Sequence, residues 1–229
     1  MPNIFKKSLA LTASIALIWF MYQALNIALA DIKHYPVKHW IKKIETGQAI
    51  TKADIDIAII TIQSAIKKTP NNPEYREYLA RLYFLSAIDV YNKDNNNLKA
   101  FRADLVNAYI QHKTALKHRP QWPYSWANLA LIKAHLQQYD NEFENAIINA
   151  EKFGPWEIAS NQAIAMAGLT GWRKISADLQ TKTVAAIERT YQQDKRIAKN
   201  LMTTYRLTSQ ICEKVTLIKL SQDKVCKNT

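Results

Sequence analysis

The sequence predicts an all-α protein in which an N-terminal membrane helix is followed by an array of antiparallel helix pairs. Three observations carry that expectation. The 229 residues are 48% hydrophobic and include only 4 Gly, too few for the primed turns of an all-β fold or for a Gly-rich phosphate loop. The run Leu9 to Ala30 holds no charge. Further along, prolines and alanines recur at a constant offset of fifty residues.

Residues 1–30 form the membrane element. The run follows Lys6 and Lys7 and, at about 1.5 Å per residue, can cross a hydrocarbon core of about 30 Å. It also ends in Ala28-Leu29-Ala30 before Asp31, a small-x-small pattern that signal peptidases cleave. Retained anchor and cleaved signal both remain open. Lys33, Lys38, Lys42 and Lys43 crowd the far flank, so the positive-inside count is not clean, although the short N-terminal arm favours an outward-facing domain.

Residues 31–50 read as a connecting segment with the first soluble helix. The net charge of +12 favours an acidic partner. Residues 1–30 account for only two of the lysines, so nearly all the basic character belongs to the part that folds in water.

From residue 51 to 175 the chain reads as repeats. Ile55 to Ile66 is dense in isoleucine, and the capping-box start Thr51-Lys-Ala-Asp54 decides for helix over strand. In Leu98 to Leu116 the apolar positions follow three-and-four spacing. Pro70 and Pro73 recur as Pro120 and Pro123, Leu79-Ala80 as Leu129-Ala130, and Ala58 and Ala65 as Ala108 and Ala115. A third junction, at Gly154-Pro155, repeats the preceding alanine as Ala150 and places Phe143 where the others have Ala58 and Ala108. Five of the seven prolines lie at these junctions. Small alanines let paired helices approach, and proline opens a helix but cannot continue one. The polar stretch Asn92 to Asn97 reads as a loop. Ile158 to Leu169 and Lys182 to Leu201 read as further helices, and residues 176–229 as C-terminal capping helices carrying Cys212 and Cys226.

Trp126, Leu129, Ala130, Ala150 and Pro155 resemble the tetratricopeptide repeat. The resemblance implies a concave groove lined by the first helix of each pair. In that register Glu77, Arg81, Tyr124 and His135 face the groove, and Trp156, at a helix start, is a further candidate. Trp126 takes the packing position and belongs to the core.

No catalytic signature accompanies the repeats. The five histidines are scattered, with no i, i+4 pair around a glutamate, and there is no P-loop and no G-x-S-x-G elbow. The cysteines form no zinc set. In an exported chain Cys212 and Cys226 would pair and staple the tail, whereas in a reducing cytosol they would be buried thiols. No metal, cofactor or enzymatic activity is expected.

The block from Arg119-Pro120 through Trp126-Ala-Asn-Leu129-Ala, Gly154-Pro155-Trp156-Glu157, Trp172, Ile187-Glu188-Arg189 and Tyr205-Arg206-Leu207 to Ile211-Cys212 resembles the VpsP-type proteins of bacterial exopolysaccharide clusters. The resemblance implies a non-catalytic accessory protein of polysaccharide biosynthesis or export. It would be single-pass in the inner membrane with a periplasmic domain, or periplasmic after cleavage at Ala30. Its partners would be polysaccharide assembly or export proteins, with an acidic polysaccharide as a further candidate. The alternative from another class is a membrane-held basic module binding nucleic acid or anionic lipid. Lysines spread along every helix make nucleic acid the weaker partner, because such spreading is how a solvated face looks.

Overall fold

The computed structural model describes residues 2–45, 48, 50–94 and 96–227. Among these residues the fold is entirely α-helical, with no strand. The first helix, α1 (Pro2–Glu45), is continuous through the uncharged run, through Ala30 and through Pro36. From Phe5 to Leu29 its large apolar side chains are exposed. Beyond that point one stripe, Ala30, His34, Val37 and Ile41, is buried. Spacings of three and four put these residues on a single face, and that face packs against α2 (Lys52–Lys68) and α3 (Pro73–Lys93). The expected connecting segment after residue 30 is therefore helix up to Glu45, one piece with the apolar run. The helix is long and apolar enough to span a membrane.

The remaining long helices are α4 (Leu98–His118), α5 (Pro123–His135), α6 (Asn141–Phe153), α7 (Ile158–Thr170), α8 (Ala177–Gln193) and α9 (Lys195–Thr204). Short helices α10 (Thr208–Cys212), α11 (Ile218–Ser221) and α12 (Lys224–Lys227) close the tail. Each helix from α1 to α9 packs on the next, and α5 also packs on α7. Thr51 caps α2 with the full reciprocal capping box. Of the polar stretch near residue 95, Asn92 and Lys93 end α3 and Asn97 caps α4, while Asn95 lies outside the described residues. The expected helix from Lys182 to Leu201 breaks at Asp194. That residue ends α8 in an extended conformation, and its carboxylate caps α9 by accepting from the Arg196 and Ile197 amides.

The three proline junctions share one hydrogen-bond pattern. The amides of Thr69, Arg119 and Gly154 donate to the carbonyls of Ala65, Ala115 and Ala150 at 3.1, 2.9 and 3.1 Å. The amides of Asn72, Trp122 and Glu157 then donate back to Thr69, Arg119 and Gly154, each at 3.2 Å. In every copy the side chain six residues after the proline donates to the proline carbonyl: Arg76 to Pro70, Trp126 to Pro120, Asn161 to Pro155. The residue before each proline leaves the helical region, with φ and ψ of −134° and 74°, −141° and 68°, and −148° and 60°, because the following pyrrolidine ring clashes with α-helical backbone there.

The junction alanines are all buried, and Phe143 is wholly buried in the same role. Burying a side chain of that size contributes about 3 kcal/mol. Two glycines mark closer approaches. A Cβ on Gly154 would lie 2.5 Å from Cβ of Pro123, and one on Gly168 would lie 1.9 Å from Oγ1 of Thr183. The third junction thus seats against the second, and α7 lies almost on α8.

Cys212 and Cys226 are joined by a disulfide with Cα atoms 5.5 Å apart, tying α10 to α12. Lys133 on α5 is buried, at 2% exposed. Its Nζ lies 2.9 Å from Asp140 and 2.9 Å from Glu142, at the start of α6. Burial works against the charge of Glu142. The hydrogen bonds of Lys113, Lys133 and Tyr109 outweigh it and hold that carboxyl down at about 2.

Candidate functional site

Helices α3, α5 and α7, from their first turns to Phe84, Ile132 and Met166, enclose a groove of about 630 Å³, floored by His112 of α4. Its lining is set by counting from each junction proline. Four residues on stand Glu74, Tyr124 and Ala159; eight on, Tyr78, Asn128 and Ala163; eleven on, Arg81, Leu131 and Met166. Steps of four and three keep one helix face turned inward.

Glu77 organises the polar wall. Its Oε2 accepts from the Trp122 indole at 3.0 Å and its Oε1 from the Ser125 hydroxyl at 2.5 Å. Burial raises its pKa above the ordinary carboxylate value, against the opposing pull of Ser125, Arg119 and Trp122. The Arg119 guanidinium lies 4.1 Å above the Trp122 ring, and Tyr124 lies 5.2 Å away on centroids. Trp122 is thereby held at its edge by a carboxylate and on one face by a cation. Tyr124 donates to the Glu157 carboxylate, and burial together with that neighbour pushes its hydroxyl up to about 12. His112 is buried, its Nδ1 has no hydrogen-bond partner, and burial lowers it to about 3. It is a neutral imidazole at the base of the groove.

This arrangement can bind. It offers aromatic faces, an amide at Asn128, another at Gln162 and opposite charges at Glu74 and Arg81. Glu77 has the perturbed pKa of a candidate acid, yet each of its oxygens already takes a donor, so its evident work is to fix Trp122. Among the described residues no cluster of three or more His, Cys, Asp or Glu side chains is placed to hold a metal ion.

Three of the five expected binding residues, Glu77, Arg81 and Tyr124, line this groove together. His135 does not. It ends α5 with its ring 5.4 Å from that of Phe84 and 6.5 Å from that of Phe101, beside a second depression. Trp156 is 66% exposed and lies outside the groove lining, with its carbonyl taken by Gln193. Tyr78, Asn128, Gln162 and His112 are lining residues that the expectation left out. Extending the count of four, eight and eleven to every junction finds Tyr78 and Asn128. No family model, curated protein or solved structure matches the chain.

Proposed function

We propose that the protein is a non-catalytic helical-repeat accessory factor of bacterial exopolysaccharide biosynthesis or export, anchored in the inner membrane with its domain in the periplasm. In this reading the helices form an antiparallel, tetratricopeptide-like array. The groove takes an extended segment of an assembly or export protein, or of the polymer itself. The observation that carries the reading is the groove wall, with Trp122 locked between Glu77 and Arg119 beside the amides of Asn128 and Gln162. A preorganised aromatic loses little entropy on binding. The VpsP-like residues supply the polysaccharide context. The disulfide suits an oxidising compartment, and the burial of Ala30 at 0% exposure favours a retained anchor over cleavage at that residue.

The test is genetic. Deletion of the gene is expected to lower exported polysaccharide while sugar-nucleotide pools stay intact, and a Trp122→Ala, Asn128→Ala gene is expected to fail in complementation though its product accumulates normally. Unchanged polymer output in the deletion strain overturns the reading.

A further inference from the structure

At the other ends of α3, α5 and α7 lies a second depression, a trough of about 1140 Å³ that also takes in the start of α4 and the turn after α9. It meets the first groove where Phe84, a residue of the groove, touches His135, a residue of the trough. The two differ in charge. The groove mixes Glu74 and Glu77 with Arg81 and Arg119. The trough carries Arg102, Arg173, Lys174 and Arg206 and no Asp or Glu. None of these four cations enters an ion pair with a described carboxylate. The same lining carries the partly exposed rings of Phe101, Tyr139 and Tyr205, and Trp172, which is buried.

The backbone gives a second, independent reason to look here. The only described non-glycine residues with positive φ are Gln137, at 60°, and Arg206, at 55°, and both line this trough. Each sits just past a helix end where the chain closes a six-to-one turn: Gln138 to the Lys133 carbonyl at 2.9 Å, and Leu207 to the Met202 carbonyl at 3.2 Å. Glycine is the usual residue at that place, and a side chain there costs about 1 kcal/mol. The cost is borne twice, and on each occasion a polar side chain lines the trough. Gly171 shows the opposite choice. A Cβ there would lie 2.3 Å from Cε1 of Tyr139, so glycine lets the Arg173–Lys174 turn close over that ring, with Lys174 Nζ 5.5 Å from its centroid.

We infer that this trough is a binding site for an acidic saccharide, its carboxylates held by Arg102, Arg173, Lys174 and Arg206 and its sugar rings laid against Phe101 and Tyr205. Guanidinium forks suit carboxylates because they donate two parallel hydrogen bonds. The choice of a saccharide over other polyanions rests on the polysaccharide reading above; the choice of an anion rests on the trough alone.

The experiment is titration of the full chain in nanodiscs of zwitterionic lipid, followed by tryptophan fluorescence. The probes are a galacturonate hexamer, the neutral hexamer cellohexaose, inorganic polyphosphate and a deoxythymidine oligomer. The galacturonate hexamer is expected to bind at least tenfold more tightly than cellohexaose. Arg173→Glu with Arg206→Glu should weaken it at least tenfold. Lys67→Glu with Lys117→Glu, an equal charge reversal on exposed positions elsewhere, should change it less than twofold. Equal losses in both double variants, or no binding of the uronate, overturn the site. Polyphosphate or the DNA oligomer binding as tightly as the uronate, with the same sensitivity to Arg173 and Arg206, overturns the saccharide assignment. The titration needs no polymer phenotype, so it fails separately from the genetic test.

Discussion

The hydroxyl of Tyr75 donates to the carboxylate of Asp31. The first residue of α3's buried face is thereby bonded to the residue directly after the Ala28-Leu29-Ala30 pattern. His34, one turn further on, packs its ring 5.0 Å from Tyr75 and 4.6 Å from Tyr78. The end of the apolar run is thus built into the domain core.

That contact predicts that the first helix is retained. Cleavage after Ala30 would remove a fully buried residue and leave a new charged amino terminus on Asp31. The purified protein is expected to have the mass of a chain that keeps the run from Leu9 to Ala30. A mature protein beginning at Asp31 would contradict this.

Gly168→Ala should destabilise by about 2 kcal/mol, because the added carbon meets three atoms of Thr183 within 2.8 Å. Thr183→Ala in the same chain removes the two nearest of them and should recover most of the loss. Chemical denaturation of the two variants measures the pair. Equal midpoints for the single variant and the parent would show that α7 and α8 can part at no cost.

The tail should depend on its disulfide. Replacing Cys212 and Cys226 by serine frees a loop spanning 14 residues and should cost about 3 kcal/mol. The loss should be local, so hydrogen exchange is expected to rise over residues 208–227 and to hold steady over α5–α7. Uniform acceleration along the chain would place the bond in the global unfolding unit instead.

His112 gives the domain an acid limit. Its folded pKa is lowered by burial to about 3, below the ordinary 6.5, so as pH falls the unfolded chain takes the proton first. Stability is full above pH 6.5 and declines below it by up to about 1.4 kcal/mol per pH unit. In His112→Gln that share of the slope should vanish. The difference between parent and variant in urea midpoint, at pH 7.5 and at pH 5, measures it, and parallel declines would assign the slope to other groups.

The three proline junctions are legible in the sequence because proline and alanine act locally. A proline dictates the backbone of the residue before it, and an alanine at a fixed distance marks a close helix contact, so Pro70, Pro120 and Pro155 announce the same turn in composition alone. Glu77, Arg81 and Tyr124 followed because a helix face is periodic. Trp156 did not follow. It sits within the turn itself, where rotation is set by the Glu157 to Gly154 hydrogen bond and by Gln193 on a distant helix. His135 is in helical phase with the groove but lies at the last residue of α5, beyond Phe84, where the groove has ended. The trough is invisible to any single-window pattern, since its four cations come from three separate segments of the chain. The length of α1 was hidden for another reason. Its apolar half and its amphipathic half obey different rules, so they read as two elements although the backbone runs through both.

That continuity sets a geometric constraint on any partner. A helix of 44 residues is about 66 Å long, and the domain is clasped to it from Ala30 onward with no slack chain between. With the apolar run in a bilayer, the groove is carried like a hand on a fixed mast: it sweeps the membrane plane by lateral diffusion but cannot reach outward. On the proposed function, an export component or a nascent polymer would have to come within the width of one small domain of the lipid to be caught, and a strand already released into the bulk would be out of range.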